Sequence, residues 1–259
     1  MIIYSWNMLF RNRELDRAFD FIATTDFDIF CLQEVPEDFL KRLQALPVAV
    51  VAFPETDRIY KGERSTQYVV ILSRYPFRAS GAIPLPYRDP YLSSRGKLFV
   101  RLMFTLRLWA AGVGNRHAMY ADVETPGSIV RVFNLHLALA LPAWRLEEFE
   151  KVMAERDPAK PTIVCGDFNI LEKPHITLLN WLLGGRVSDV LLHRRERTYI
   201  EKRFVAHELR NPLRGRSTHP LSRSQLDHIL VSHSFSVRHA EVIPDRFGSD
   251  HHPIRVEAA

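Results

Sequence analysis

TIVCGDFN, residues 162–169, is an apolar run that stops abruptly at an aspartate and an asparagine. Its β-branched residues read as a buried strand, and its polar end reads as the mouth of that strand. The same construction recurs along the chain. Asn7 follows IIYSW, Glu34 follows IFCLQ, His136 follows VFNL and Asp227 follows SQL, while Asp250 and His251 precede the last apolar run. In folds that alternate strands and helices, ligands gather beyond strand ends, so these side chains are expected to meet in one cleft. Each also has a plainer reading. Asn7 suits a helix cap, Glu34 a first helical turn beside the dipole, and Asp167 with Asn169 a tight turn.

The elements around these runs set the fold class. IIYSW reads as a strand, and Leu15, Ala18, Phe19 and Ile22 in RNRELDRAFDFIATTD are spaced for a helix. DIFCLQEV is again a strand, and EDFLKRLQAL a helix with Pro36 at its first turn. This order opens an α/β protein. The middle is rich in strand formers: VAVVAF (48–53), QYVVILSR (67–74), KLFVRLMFTLRL (97–108), AMYADVE (118–124) and IVRVFNLHL (129–137). In KLFVRLMFTLRL the two alternating sets of residues predict a strand with one buried face, and AAGVGN (110–115) then reads as a hairpin turn with Trp109 at its tip. A helix is expected over PAWRLEEFEKVMAE (142–155), and strands over QLDHILVS (225–232) and SVRHAEVI (236–243). With no repeat, linker or shift in composition, residues 1–259 are expected to form one domain.

Composition narrows the function. Hydrophobic residues make up 46% of the 259 positions, ample for a packed core. Cys31 and Cys165 sit in apolar runs without a CxxC partner and read as buried free thiols. MIIYSWNML lacks a positive leader, and no apolar run nears the roughly 20 residues that span a bilayer, so a soluble cytoplasmic protein is expected. The formal net charge of +5 favours an anionic partner: nucleic acid, a phospholipid surface or a phosphorylated metabolite. Residues 186–223 hold ten Arg or Lys against four acidic residues with little periodicity, which fits either a solvated loop or a phosphate-binding one.

The strand-end set suits hydrolysis of a phosphate ester. Mg²⁺ takes one or two carboxylates and keeps positions for water and phosphate oxygen, amides at Asn7 and Asn169 add no negative charge, and a histidine beside an aspartate is a proton carrier. A zinc site drawn from His219, His228, His251 and His252 is disfavoured, because HExxH and finger spacings are absent and most donors are oxygen. Mg²⁺ or Mn²⁺ is therefore expected. No GxxxxGK[ST] or GxSxG motif is present.

Seven short motifs, SWN (5–7), LQEV (32–35), ILSRYP (71–76), NLHL (134–137), GDFN (166–169), LDHIL (226–230) and SDHHP (249–253), follow one another in an order that resembles the endonuclease/exonuclease/phosphatase superfamily. That superfamily includes pancreatic-type deoxyribonuclease, abasic-site endonucleases, inositol polyphosphate 5-phosphatases and neutral sphingomyelinases. The resemblance implies two β-sheets packed face to face with helices outside. It implies Glu34 as principal metal ligand with Asn7 and Asp227 beside it, and His136 as a phosphate contact. It further implies Asp167 with Asn169 as the pair that positions the attacking water, and Asp250 as the carboxylate that orients a catalytic His251. Either Asp167 or His251 would take the water's proton. Arg74 and Arg95 are further candidate phosphate contacts.

The sequence departs from the abasic-site enzymes at Leu9, where they carry an acid, at Ser224, where they carry Trp, and at His136, where Tyr is usual. The expected activity is a divalent-metal-dependent phosphodiester hydrolase, with nucleic acid favoured by the basic charge. The alternatives are a phospholipid or phosphoinositide phosphoesterase and a scaffold that binds nucleic acid without cutting it.

Overall fold

The computed structural model describes residues 1–86, 88, 92–108 and 111–259. Strand β1 (Ile2–Asn7), helix α1 (Leu15–Thr24), β2 (Ile29–Pro36) and α2 (Glu37–Leu43) open the chain. Strands β3 (Ala49–Tyr60), β4 (Glu63–Ser73) and β5 (Phe77–Pro84) lead to α3 (Ser94–Thr105), then β6 (Ala111–Gly114), β7 (His117–Glu124) and β8 (Ile129–His136). Helix α4 (Pro142–Met153) precedes β9 (Thr162–Asp167), which is followed by α5 (Pro174–Leu182), α6 (Val187–Leu191) and α7 (Arg195–Ala206). The chain closes with β10 (Leu209–Arg210), β11 (Asp227–Ser232), β12 (Val237–Val242) and β13 (Ile254–Ala258).

The strands form two mixed sheets, in the orders β12-β13-β1-β2-β4-β3-β6 and β10-β11-β9-β8-β7-β5. Side-chain alternation then builds four layers. Ile29 and Cys31 of β2 face Ile163 and Cys165 of β9 across the inner core, where both thiols are buried and free. The opposite faces of the same strands pack helices. Phe30 and Leu32 meet Ala18 and Ile22 of α1 and Phe39 of α2, while Phe133 and Val164 meet Phe149 of α4 and Phe204 of α7. Both faces of the central strands are covered, which is why they read as continuous apolar runs.

Two expectations are corrected. KLFVRLMFTLRL is not a strand: residues 94–105 are helix α3, started by the Ser93 hydroxyl, which accepts from the Gly96 N–H. Its Leu, Met, Lys and Arg are good helix formers, and Phe99, Val100 and Met103 recur at helical spacing. Residues 111–114, read as a hairpin turn, are strand β6 paired with β3, while Trp109 lies outside the described residues. The Arg-rich segment holds α6, α7 and β10 up to residue 210 and runs on through turns to residue 223. Its arginines bind neighbouring structure: Arg197 donates to Glu172 at 3.0 Å, Arg203 to Glu150 at 2.6 Å and Arg216 to the Ala240 carbonyl at 2.6 Å.

Candidate active site

Register and strand direction bring the polar strand ends together. β1 runs parallel to β2, and β8 runs parallel to β9. His136 therefore stands opposite Asp167, and antiparallel β11 places Asp227 opposite Asp167 on the other side. Gly166 permits this approach. Its φ is +142°, and a Cβ there would lie 1.9 Å from the Leu135 carbonyl oxygen.

In the facing sheet, two β-bulges turn glutamates into the same cleft. The β2–β4 register slips between Leu32 and Val35, and Glu34 takes a φ of +56°. The β3–β4 register slips between Pro54 and Thr56, which turns out Glu55. Positive φ at Glu34 and at Asn169, the latter +52°, is backbone strain held at the site.

The centre of the site is the Asp167 carboxylate. Its Oδ2 lies 3.5 Å from Nε2 of His136 and 3.7 Å from Nε2 of His251. The Asn7 side chain donates to the same oxygen at 3.0 Å, and the Asn169 N–H donates to Oδ1 at 2.8 Å. Each imidazole is backed by a second carboxylate: Nδ1 of His136 meets Glu55 at 2.7 Å, and Nδ1 of His251 meets Asp227 at 2.8 Å. Glu34 sits beside the first dyad. Its N–H donates to Glu55 at 2.7 Å, its carboxylate accepts from the Phe10 N–H at 3.1 Å, and Arg58 donates to it at 3.2 Å.

Charge is distributed unevenly over these groups. Burial works against the Asp167 anion, but the neighbouring His251 and His136 outweigh it and hold the carboxyl below its usual range. Burial likewise works against a charged His251, yet Asp227, Asp167 and Asp250 push it up to about 10. His136 is raised in the same sense by Glu55. Asp250 is held down at about 2, against its burial, by His219 and His251. Burial pushes Asp227 up, against the opposing pull of His251 beside it.

Glu34, Asn7, His136, Asp167, Asn169, Asp250 and His251 all line one cleft of about 630 Å³. Three sequence expectations, for Asp250, Arg74 and Arg95, are corrected. Asp227 does not line the cleft, and it is the carboxylate on Nδ1 of His251; Asp250, expected in that orienting place, lies 4.0 Å from Nε2 and beside His219. Arg74 pairs with Asp26 at 2.5 Å at the far end of the sheet, because antiparallel β4 ends where β2 begins. Arg95 donates to the carbonyls of Trp181 and Gly185, fastening α3 to α5, and does not line the cleft. The cations that do line it are Arg11, Arg58, Arg88 and Arg116. Glu55 escaped the sequence reading because it falls inside a strand; the signal was Pro54, which marks a bulge when it interrupts strand-forming residues.

Among the described residues, Asp167 with Asp227 and His251, and His219 with Asp250 and His251, form two clusters whose ligand atoms are close enough to hold a divalent cation. The floor of the cleft adds the oxygen donors Glu34, Glu55, Asn7 and Asn169, a hard set suited to such an ion. Arg58 brings a positive charge to within 3.2 Å of Glu34 and 3.6 Å of Glu55, a guanidinium standing beside the acidic pair.

A family model described as the endonuclease/exonuclease/phosphatase family matches residues 4–251. No curated protein matches the chain by sequence. Among solved structures, an endonuclease/exonuclease/phosphatase from Beutenbergia cavernae superposes with a TM-score of 0.70 at 18% identity, covering 100% of this chain and 71% of the other. A mannosyl-6-phosphatase from Bacteroides thetaiotaomicron gives 0.64 at 20% identity, covering 100% of this chain and 99% of the other. A 3′ phosphatase from Neisseria, bound to a product DNA hairpin, gives 0.62 at 18% identity, covering 99% and 98%. At these identities the likeness is one of fold.

Proposed function

The chain belongs to the endonuclease/exonuclease/phosphatase family and is a metal-dependent phosphoester hydrolase, and on that footing we propose that it cleaves a phosphodiester with Mg²⁺ by attack of water on phosphorus. The observation that carries this reading is the placing of two carboxylate-backed imidazoles on either side of Asp167. We assign Asp167 to the water: it is anionic, and Asn7 and the Asn169 backbone fix both its oxygens. Its free lone pairs face the cleft, where a water would give up its proton. His251 keeps Nδ1 on Asp227 and turns Nε2 toward the cleft, so it donates to a phosphate oxygen or to the departing alcohol. His136, held the same way by Glu55, donates to a second non-bridging oxygen.

Glu34, with Asn7 beside it, is the residue we assign to the metal. Bound there, the cation supplies positive charge against the phosphate oxygens that otherwise repel the incoming water.

The reading is tested by hydrolysis at low salt of plasmid, single-stranded DNA, RNA, bis(p-nitrophenyl) phosphate and phospholipid, in Mg²⁺, Mn²⁺ or EDTA. Turnover of at least one diester in Mg²⁺ that is abolished by EDTA is expected; turnover that persists in EDTA contradicts it. The net charge of +5 supports nucleic acid as the substrate. The wall of the cleft supports a second reading, an amphiphilic phosphoester, because it carries Phe99, Val100 and Met103 of α3 and Ile176, Leu179 and Leu182 of α5. No described helix is long and apolar enough to cross a membrane.

A further inference from the structure

We infer, resting on the phosphoester-hydrolase reading, that the site takes a phosphodiester carrying a hydrocarbon chain and meets it at an anionic lipid surface, against which α3 docks. The cleft has two unlike halves. Its floor is the polar centre around Asp167, and its wall is the apolar side of α3 and α5. A sugar–phosphate backbone leaves such a wall unused, whereas a hydrocarbon chain is removed from water along it.

The apolar surface continues outward along α3. Leu98, Leu102 and Leu106, on α3 and its closing turn, are 70%, 52% and 56% exposed. Among the described residues, Gly96 is the only buried member of α3, so the large side chains of this helix do not serve the core. Scattered exposed leucines are ordinary, but a concentration on one rim of a cleft marks an interaction surface. The helices hold together as a unit. A Cβ on Gly96 would meet the Leu183 carbonyl oxygen at 2.4 Å, and Arg95 bonds to Trp181 and Gly185 at the junction of α5 and α6.

Charge selects the partner. Residues 93–108 carry Arg95, Lys97, Arg101 and Arg107 and no carboxylate. Lys97, Arg101 and Arg107 are exposed among the leucines. Exposed leucines interleaved with cations match the boundary between acyl chains and anionic headgroups. A nucleic acid would use the cations and leave the leucines in water. In the reaction, the oxygen of water joins phosphorus, one phosphorus–oxygen ester bond breaks, and the released alcohol leaves with a proton. The products are a phosphomonoester and an alcohol, one of them bearing the hydrocarbon.

Two measurements test this. The first is flotation of hydrolysis-silent His251→Ala protein with vesicles of phosphatidylcholine alone or mixed equally with phosphatidylglycerol, beside the same protein carrying Leu98→Asp and Leu102→Asp. The second is turnover of the mixed vesicles and of bis(p-nitrophenyl) phosphate, with the two leucine changes in the otherwise unaltered protein. Binding to the mixed vesicles that falls about tenfold with the leucine changes, and a similar fall in the ratio of lipid to soluble-diester turnover, is expected. Metal-dependent turnover of DNA, RNA or the soluble diester without vesicle binding overturns the lipid inference and leaves the hydrolase reading intact. Vesicle binding with no phosphoester turned over in any metal overturns the hydrolase reading and leaves the docking surface standing. Circular dichroism on the leucine variant separates lost docking from lost folding.

Discussion

Glu55 shows how a side chain with no motif of its own comes to matter. It accepts from Nδ1 of His136 at 2.7 Å and from the Glu34 N–H at 2.7 Å, so one carboxylate fixes both an imidazole and the backbone of a proposed metal ligand. Burial opposes its ionisation, but His136 and Arg58 hold its carboxyl below the usual range. Glu55→Gln keeps the shape and removes the charge that supports the imidazolium. Turnover of a soluble diester is expected to fall about 100-fold with thermal stability near that of the parent, measured by steady-state kinetics beside a melting curve. Unchanged turnover would mean that His136 takes no proton-bearing part. At this scale the sequence was informative where a polar residue ended an apolar run, as at His136 and Asp167. It was silent where a bulge inside a strand reversed the side chain, as at Glu55. It misassigned Asp250 because which carboxylate reaches Nδ1 of His251 depends on strand pairing between residues 24 positions apart.

Among the elements, strands were the easier to read. β1, β2, β8, β9 and β11 are each a short apolar run with both faces covered, and such runs are visible without knowing their neighbours. Helix α3 was misread because Leu, Phe, Val and Met fill it on every side. Period two and period 3.6 are then hard to tell apart, and only the surroundings, a cleft on one side and an open face on the other, explain its composition. Pairing between elements also shapes stability. Asp122 of β7 accepts from Arg131 of β8 at 2.8 Å and from Lys160 before β9 at 3.0 Å. Burial works against its ionisation, yet these two cations hold its carboxyl below the ordinary value. Its contribution is therefore complete above the unfolded carboxyl range, about pH 4, and is lost as the pH falls through the lower folded value. Urea titrations from neutral to strongly acidic pH should show Asp122→Asn less stable than the parent at neutral pH, with the gap closing in acid. A gap that widens as the pH falls would contradict the pairing.

For the molecule as a whole, the two sheets act as a clamp with the site at one end. The first sheet brings Asn7, Glu34 and Glu55, the second brings His136, Asp167 and Asp227, and the loop before β13 closes the ring with Asp250 and His251. Buried polar groups knit the two sheets just below. The Gln33 side chain donates to Asn134 at 2.6 Å, and Asn134 donates to the carbonyls of Leu32 and Val70 at 2.9 Å each. This convergence was legible because seven motifs kept a single order along the chain. The character of the cleft wall was not, since it depends on where α3 and α5 fold back over the strand ends. The most direct test of the account is the turnover of bis(p-nitrophenyl) phosphate in Mg²⁺ by His251→Ala protein whose folding matches the parent by circular dichroism. A fall of about a thousandfold or more is predicted, because the Asp227-backed donor to the phosphate is gone. Turnover within a few-fold of the parent would contradict the assignment of this cleft as the active site.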